Sequence, residues 1–128
     1  MTGLWILMLV TDLLIPLTMI GFGKKFRRGA PEKVNPFFGY RTQMSMKNAE
    51  TWAFAHHYFG NMWYKIGVLL LPVSVIPIAA IRGSSADMVA LVGTLVCCVQ
   101  CIPMLVPIIP TERALRAKFD DEGNPVGM

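Results

Sequence analysis

The stretch LWILMLVTDLLIPLTMIGF, residues 4–22, is broken only by Thr11, Asp12 and Thr18. Wound as an α-helix, its 19 residues rise roughly 28 Å, close to the hydrocarbon thickness of a bilayer. Nothing basic precedes it, the charges follow it in GKKFRR (23–28), and no small-residue cleavage pattern comes after. It is therefore read as a retained membrane span rather than a cleaved signal peptide.

Two more apolar runs lie downstream. Ile66–Ile81 carries Pro72 and Pro77, and Trp63 and Tyr64 lead into it. Its 16 residues rise roughly 24 Å as a helix. Aromatic rings suit the headgroup level, so this span is placed at about 64–81. Met88–Ile109 is 22 residues long, roughly 33 Å as a helix, and carries Gln100, Pro103 and Pro107. A chain of 128 residues, 54% hydrophobic and 16% charged, has room for a single domain and the composition of a membrane protein. The expected fold is an all-α integral membrane protein with three transmembrane helices and a juxtamembrane amphipathic helix.

Charge sets the expected orientation. Residues 23–65 hold eight basic residues against two acids, Glu32 and Glu50, whereas RGSSAD (82–87) between the second and third spans holds one of each. Arg113, Arg116 and Lys118 follow the third span. The positive-inside rule then places the N-terminus outside, and segment 23–63 and the tail 111–128 in the cytoplasm. The net charge of +4 follows from that topology. Attraction of KKFRR to anionic headgroups accounts for it, and no basic-aromatic stripe on a soluble face calls for a nucleic acid.

Segment 23–63 is too polar to cross a bilayer and too patterned for a plain linker. Gly29, Pro31, Asn35, Pro36 and Gly39 exclude regular helix over its first part. Asn35-Pro36 favours a turn, and Gly39 permits a positive φ. Phe37, Phe38 and Tyr40 are large rings that need a surface to cover. From Ser45 the pattern turns helical. Ser45 or Asn48 can cap a helix, with Glu50 in its first turn, where a negative charge is favoured. Trp52, His56, Phe59 and Trp63 recur on one helical face, which predicts an amphipathic helix over 47–62 lying near the interface.

The residues NPFFGYRTQMSMKNAETWAFAHHYFG (35–60) resemble the signature of the SdpI family, small prokaryotic membrane proteins named for an immunity protein against a secreted peptide toxin. The family pattern N-x-x-x-G-Y-R-T, then S-M, N, E-x-W, A-H and a glycine, is filled here by Asn35, Gly39, Tyr40, Arg41, Thr42, Ser45, Met46, Asn48, Glu50, Trp52, Ala55, His56 and Gly60. The tail PTERALRAKFDDEGNP (110–125) is also similar, so the resemblance runs over roughly residues 10–125. It implies a non-enzymatic protein of the prokaryotic plasma membrane that protects against a peptide toxin, signals its presence to a cytoplasmic regulatory protein, or both. The competing reading of the motif is a loop that plugs the bundle, with Arg41 paired to Glu50, Asp12 or a phosphate.

Asp12 sits near the middle of the first span on the face of Trp5, Met8 and Pro16. An ionised carboxylate there is costly, so it is expected to be protonated, hydrogen-bonded or facing a polar cavity. Gln100 on the third span is its natural interhelical partner. The alternative function built on Asp12 is a small proton-coupled transporter, which needs a homo-oligomer because three helices enclose little. Cys97 and Cys101 stand one turn apart with Cys98 beside them, but mid-bilayer thiols behave as small apolar residues rather than metal ligands. No extracellular pair supports a disulfide framework. His56 and His57 lack a thiol or carboxylate at ligand spacing and are expected to pack at the interface. No nucleophile elbow, zinc signature, phosphate loop or paired aspartates points to catalysis, and no cofactor is called for.

Overall fold

The computed structural model describes residues 2–31 and 39–126. Among these residues are four helices: α1 (Thr2–Arg28), α2 (Ala49–Ala80), α3 (Ala86–Leu105) and α4 (Ile108–Lys118). Three helical stretches are long and apolar enough to cross a membrane: Gly3–Arg28, Ala49–Ala80 and Ala86–Lys118. They make the chain a multi-pass membrane protein. Leu7, Leu14, Leu69, Ile76, Leu95 and Ile102 are among the large apolar side chains that face outward from these helices. Such a surface suits lipid and would be a liability in water.

α1 packs most extensively on α2 and less on α3. Glycines allow the close approach. A Cβ added at Gly23 would lie 2.5 Å from Tyr64 N and 2.8 Å from the Gly60 carbonyl oxygen, and one at Gly60 would lie 2.7 Å from Arg27 N. Gly67 meets Met19 and Ile20 in the same way higher on the crossing. Small residues at a membrane-helix contact let dispersion act over the whole interface, because no hydrophobic force separates helix from lipid. The Trp5 indole N–H donates to the Ile78 carbonyl at 2.8 Å and ties the far ends of α1 and α2 together.

The amphipathic segment differs from expectation. Residues 49–62 are not a separate juxtamembrane helix; they are the first part of α2, which runs unbroken through Ala80. Neither proline nor a turn dipeptide stands between Met62 and Ile66 to stop it, and 32 residues rise roughly 48 Å, well beyond a hydrocarbon core. The extra length projects past the apolar stretch. The tail is also more ordered than a plain extension: beyond a break at Val106 and Pro107 the chain resumes as α4.

Candidate functional site

The projecting start of α2 carries the motif, and the loop before it folds back onto that helix. Asn48 is the N-cap: its side chain accepts from Thr51 N–H at 2.9 Å, while Thr51 Oγ1 accepts from Asn48 N–H at 3.0 Å. Thr51 Oγ1 also donates to the Ser45 carbonyl at 3.1 Å, which joins the cap to the loop. Ser45 is wholly buried; its Oγ accepts from Thr42 N–H at 2.8 Å and lies 3.0 Å from the Tyr40 carbonyl that it donates to. Three short polar side chains thus close residues 40–51 into a knot.

His56 is the pin of this knot. It is fully buried, and its Nε2 accepts from Tyr40 N–H at 2.8 Å. Its Nδ1 lies 2.8 Å from the Trp52 carbonyl, so that nitrogen carries the hydrogen and the ring is held as one neutral tautomer. Gly39 makes the approach feasible: its φ is +106°, and a Cβ there would run into the His56 ring. Trp52, Phe26 and Tyr40 surround the imidazole, with ring centroids 4.2, 4.9 and 6.4 Å away. Trp52 in turn donates its indole N–H to the Pro31 carbonyl at 2.9 Å. We expect His56→Leu to destabilise the protein by roughly 2–3 kcal/mol, because it strands the Tyr40 N–H in the interior. His57→Leu, at an exposed neighbour bonded to the Arg27 carbonyl, should cost under about 1 kcal/mol. Thermal unfolding of the two variants in detergent measures the contrast.

The α4 segment closes the other side. Glu112 Oε2 accepts from Tyr40 O–H at 2.6 Å and from Thr42 Oγ1 at 2.8 Å. Burial, reinforced by the bond to Glu112, pushes the Tyr40 phenol far above the ordinary tyrosine range. Leu115 and Phe119 pack with Tyr40, Met44, Ala55 and Phe59 in one apolar cluster. The Gly123 carbonyl accepts from Asn48 Nδ2 at 2.7 Å, so the tail also braces the cap.

The structure therefore gathers Gly39, Tyr40, Thr42, Ser45, Asn48, Trp52 and His56 into one body, and most of them are consumed in holding it together. Arg41 and Glu50 are exposed on its surface. Arg41 stands with Gly39 and Thr42 at the rim of a groove of about 400 Å³ whose walls include Phe22, Phe26, Phe59 and Trp63. Asn35 lies outside the described residues. Glu112 was missed in the sequence; its one signal is that it is the sole acid between the third apolar run and Asp120.

With this geometry in place the comparison with known families is decisive. The model of the SdpI/YfhL protein family matches residues 32–111, which include the motif, α2, α3 and the start of α4. The chain belongs to the SdpI/YfhL family. The matched stretch begins after α1 and ends one residue before Glu112. Searches of curated proteins and of solved structures returned no match.

Asp12 and Gln100, the intramembrane pair, do meet, though not through the carboxyl. Gln100 Nε2 donates to the backbone carbonyl of Asp12 at 2.6 Å and to Ser74 Oγ at 2.6 Å. Cys97 and Cys101 are half-buried, and the Cys101 thiol lies 3.5 Å from the Cys97 carbonyl, an ordinary intrahelical contact.

Proposed function

We propose that this SdpI/YfhL-family protein gives immunity to an antimicrobial peptide toxin, or reports its presence, through the face of the motif body that carries Arg41. In this reading the N-terminus is outside a prokaryotic plasma membrane, and the motif body and tail are in the cytoplasm, as the excess of basic residues in 23–65 favours. The observation that carries the reading is the placement of the motif residues. The buried members are bonded to one another and to Pro31 and Glu112, while the exposed Arg41 lines an aromatic groove. A guanidinium next to aromatic walls suits a ligand that has a carboxylate or phosphate and an apolar body, the combination that a membrane-active peptide or an amphipathic partner segment offers. The role needs no enzyme chemistry.

The test is a challenge assay. Cells that lack the chain and cells that express it are exposed to the peptides that neighbouring cells secrete. Growth of the expressing cells at peptide levels that stop the others is the expected outcome. Equal sensitivity, together with no transcriptional response that depends on the chain, would remove the toxin from the account.

A further inference from the structure

At mid-membrane each span contributes one buried polar side chain: Asp12 from α1, Ser74 from α2 and Gln100 from α3, none more than 2% exposed. Pro16 explains part of the arrangement. Proline has no N–H, so the Asp12 carbonyl four residues earlier loses its helical donor. Gln100 replaces that donor and holds Ser74 with its second N–H, each at 2.6 Å. A carboxamide has two N–H donors, and both are now used.

What remains is an excess of acceptors. Asp12 Oδ1, Asp12 Oδ2 and Gln100 Oε1 are buried with no hydrogen-bond partner, and the single Ser74 O–H cannot serve all three. A bare carboxylate cannot persist there without a donor or a cation. No basic residue stands between Lys65 and Arg82 on α2, or between Asp87 and Arg113 on α3 and α4. The ionisable groups that α3 brings toward Asp12 are thiols, Cys97 with Cys98 and Cys101 close to it. α2 contributes the Ser74 hydroxyl and nothing that titrates between Lys65 and Arg82.

We propose that Asp12 is an intramembrane proton-binding site whose proton supplies the donor that the Asp12–Ser74–Gln100 cluster lacks. The site operates as a latch. While the proton is bound, Gln100 is left to join Asp12 of α1 to Ser74 of α2. When it leaves, the carboxylate becomes the strongest acceptor beside Gln100 and draws an N–H away from the carbonyl or from Ser74. Ser74 and Gln100 floor a groove of about 260 Å³ between α2 and α3, walled by Val73, Pro77 and Val96. Deprotonation therefore loosens the contact that closes the base of this groove.

Infrared spectroscopy of the full chain in lipid nanodiscs tests the proposal. The chain has four aspartates, and Asp87, Asp120 and Asp121 are exposed. At neutral pH the wild-type protein should show a protonated-carboxyl band that shifts on ¹³C-aspartate labelling and is absent from Asp12→Asn. Raising the pH until the band disappears should lower the unfolding temperature of the wild type and not that of Asp12→Asn. The labelled wild-type measurement stands even if the variant fails to fold. Absence of an aspartic-acid band at neutral pH overturns the proposal, and so does stabilisation by sodium at fixed pH without such a band, which would make the cluster a metal-cation site instead.

Discussion

Gly23→Leu should separate α1 from α2 and cost more than about 3 kcal/mol, above the usual range for overpacking. The neighbours that a side chain at Gly23 meets are backbone atoms: Tyr64 N at 2.5 Å, the Gly60 oxygen at 2.8 Å and Tyr64 Cα at 2.9 Å. Backbone inside a helix cannot rotate aside as a flexible side chain can, so the helices must part. Parting them also removes the edge contact of Phe26 with His56 and the Arg27 guanidinium from its place 4.7 Å over the Tyr64 ring. The motif body thus depends on a glycine in another helix. Gly21→Leu is the control, since nothing lies within 4 Å of a Cβ there. It should leave stability within about 0.5 kcal/mol of wild type or raise it slightly, because leucine is the better helix former. Thermal unfolding of both variants in the same detergent checks the difference, and equal melting temperatures would count against the close crossing.

How much of this was legible in the sequence follows the range of each interaction. The three spans were, because a bilayer dictates the length of an apolar run wherever it occurs. A cap at Ser45 or Asn48, with Glu50 in the first turn, was legible since capping acts within four residues; the structure uses Asn48. The helical face of Trp52, His56, Phe59 and Trp63 was also read; the first three are buried and Trp63 is half-buried against the same cluster. What covers that face was not: the return of residues 39–46 and the packing of Leu115 and Phe119 join segments far apart in the chain. Glu112 illustrates the limit, since its partners Thr42 and Tyr40 are 70 and 72 residues away. The helix expected over 47–62 had the right face and the wrong boundary: the change from amphipathic to apolar pattern near Met62 is not a stop signal, and the helix runs on into the second span. Asp12 and Gln100 were matched as residues, but only the geometry places the bond on the carbonyl freed by Pro16.

Arg41→Lys should abolish most of the protective or signalling activity while leaving the fold intact. The loop around it is held by Tyr40 N–H on His56, Thr42 N–H on Ser45, and the Tyr40 and Thr42 hydroxyls on Glu112, none of which the substitution removes. Lysine keeps the positive charge and much of the reach. It loses the planar fork that holds a carboxylate or phosphate through two parallel bonds, and the flat face that stacks on aromatic walls. A site that uses only charge tolerates the change, whereas a site that uses geometry does not.

The central claim is that the motif is a scaffold, braced from the tail by Glu112 and Gly123, that presents Arg41, and one paired measurement addresses it. Arg41→Lys and wild-type protein are compared in a thermal-shift assay in detergent and, at matched expression, in the toxin-challenge growth assay. The account predicts the same melting temperature and a loss of most protection. Full protection by Arg41→Lys, or a loss that only follows a fall in melting temperature, would contradict it and leave the motif as scaffold alone.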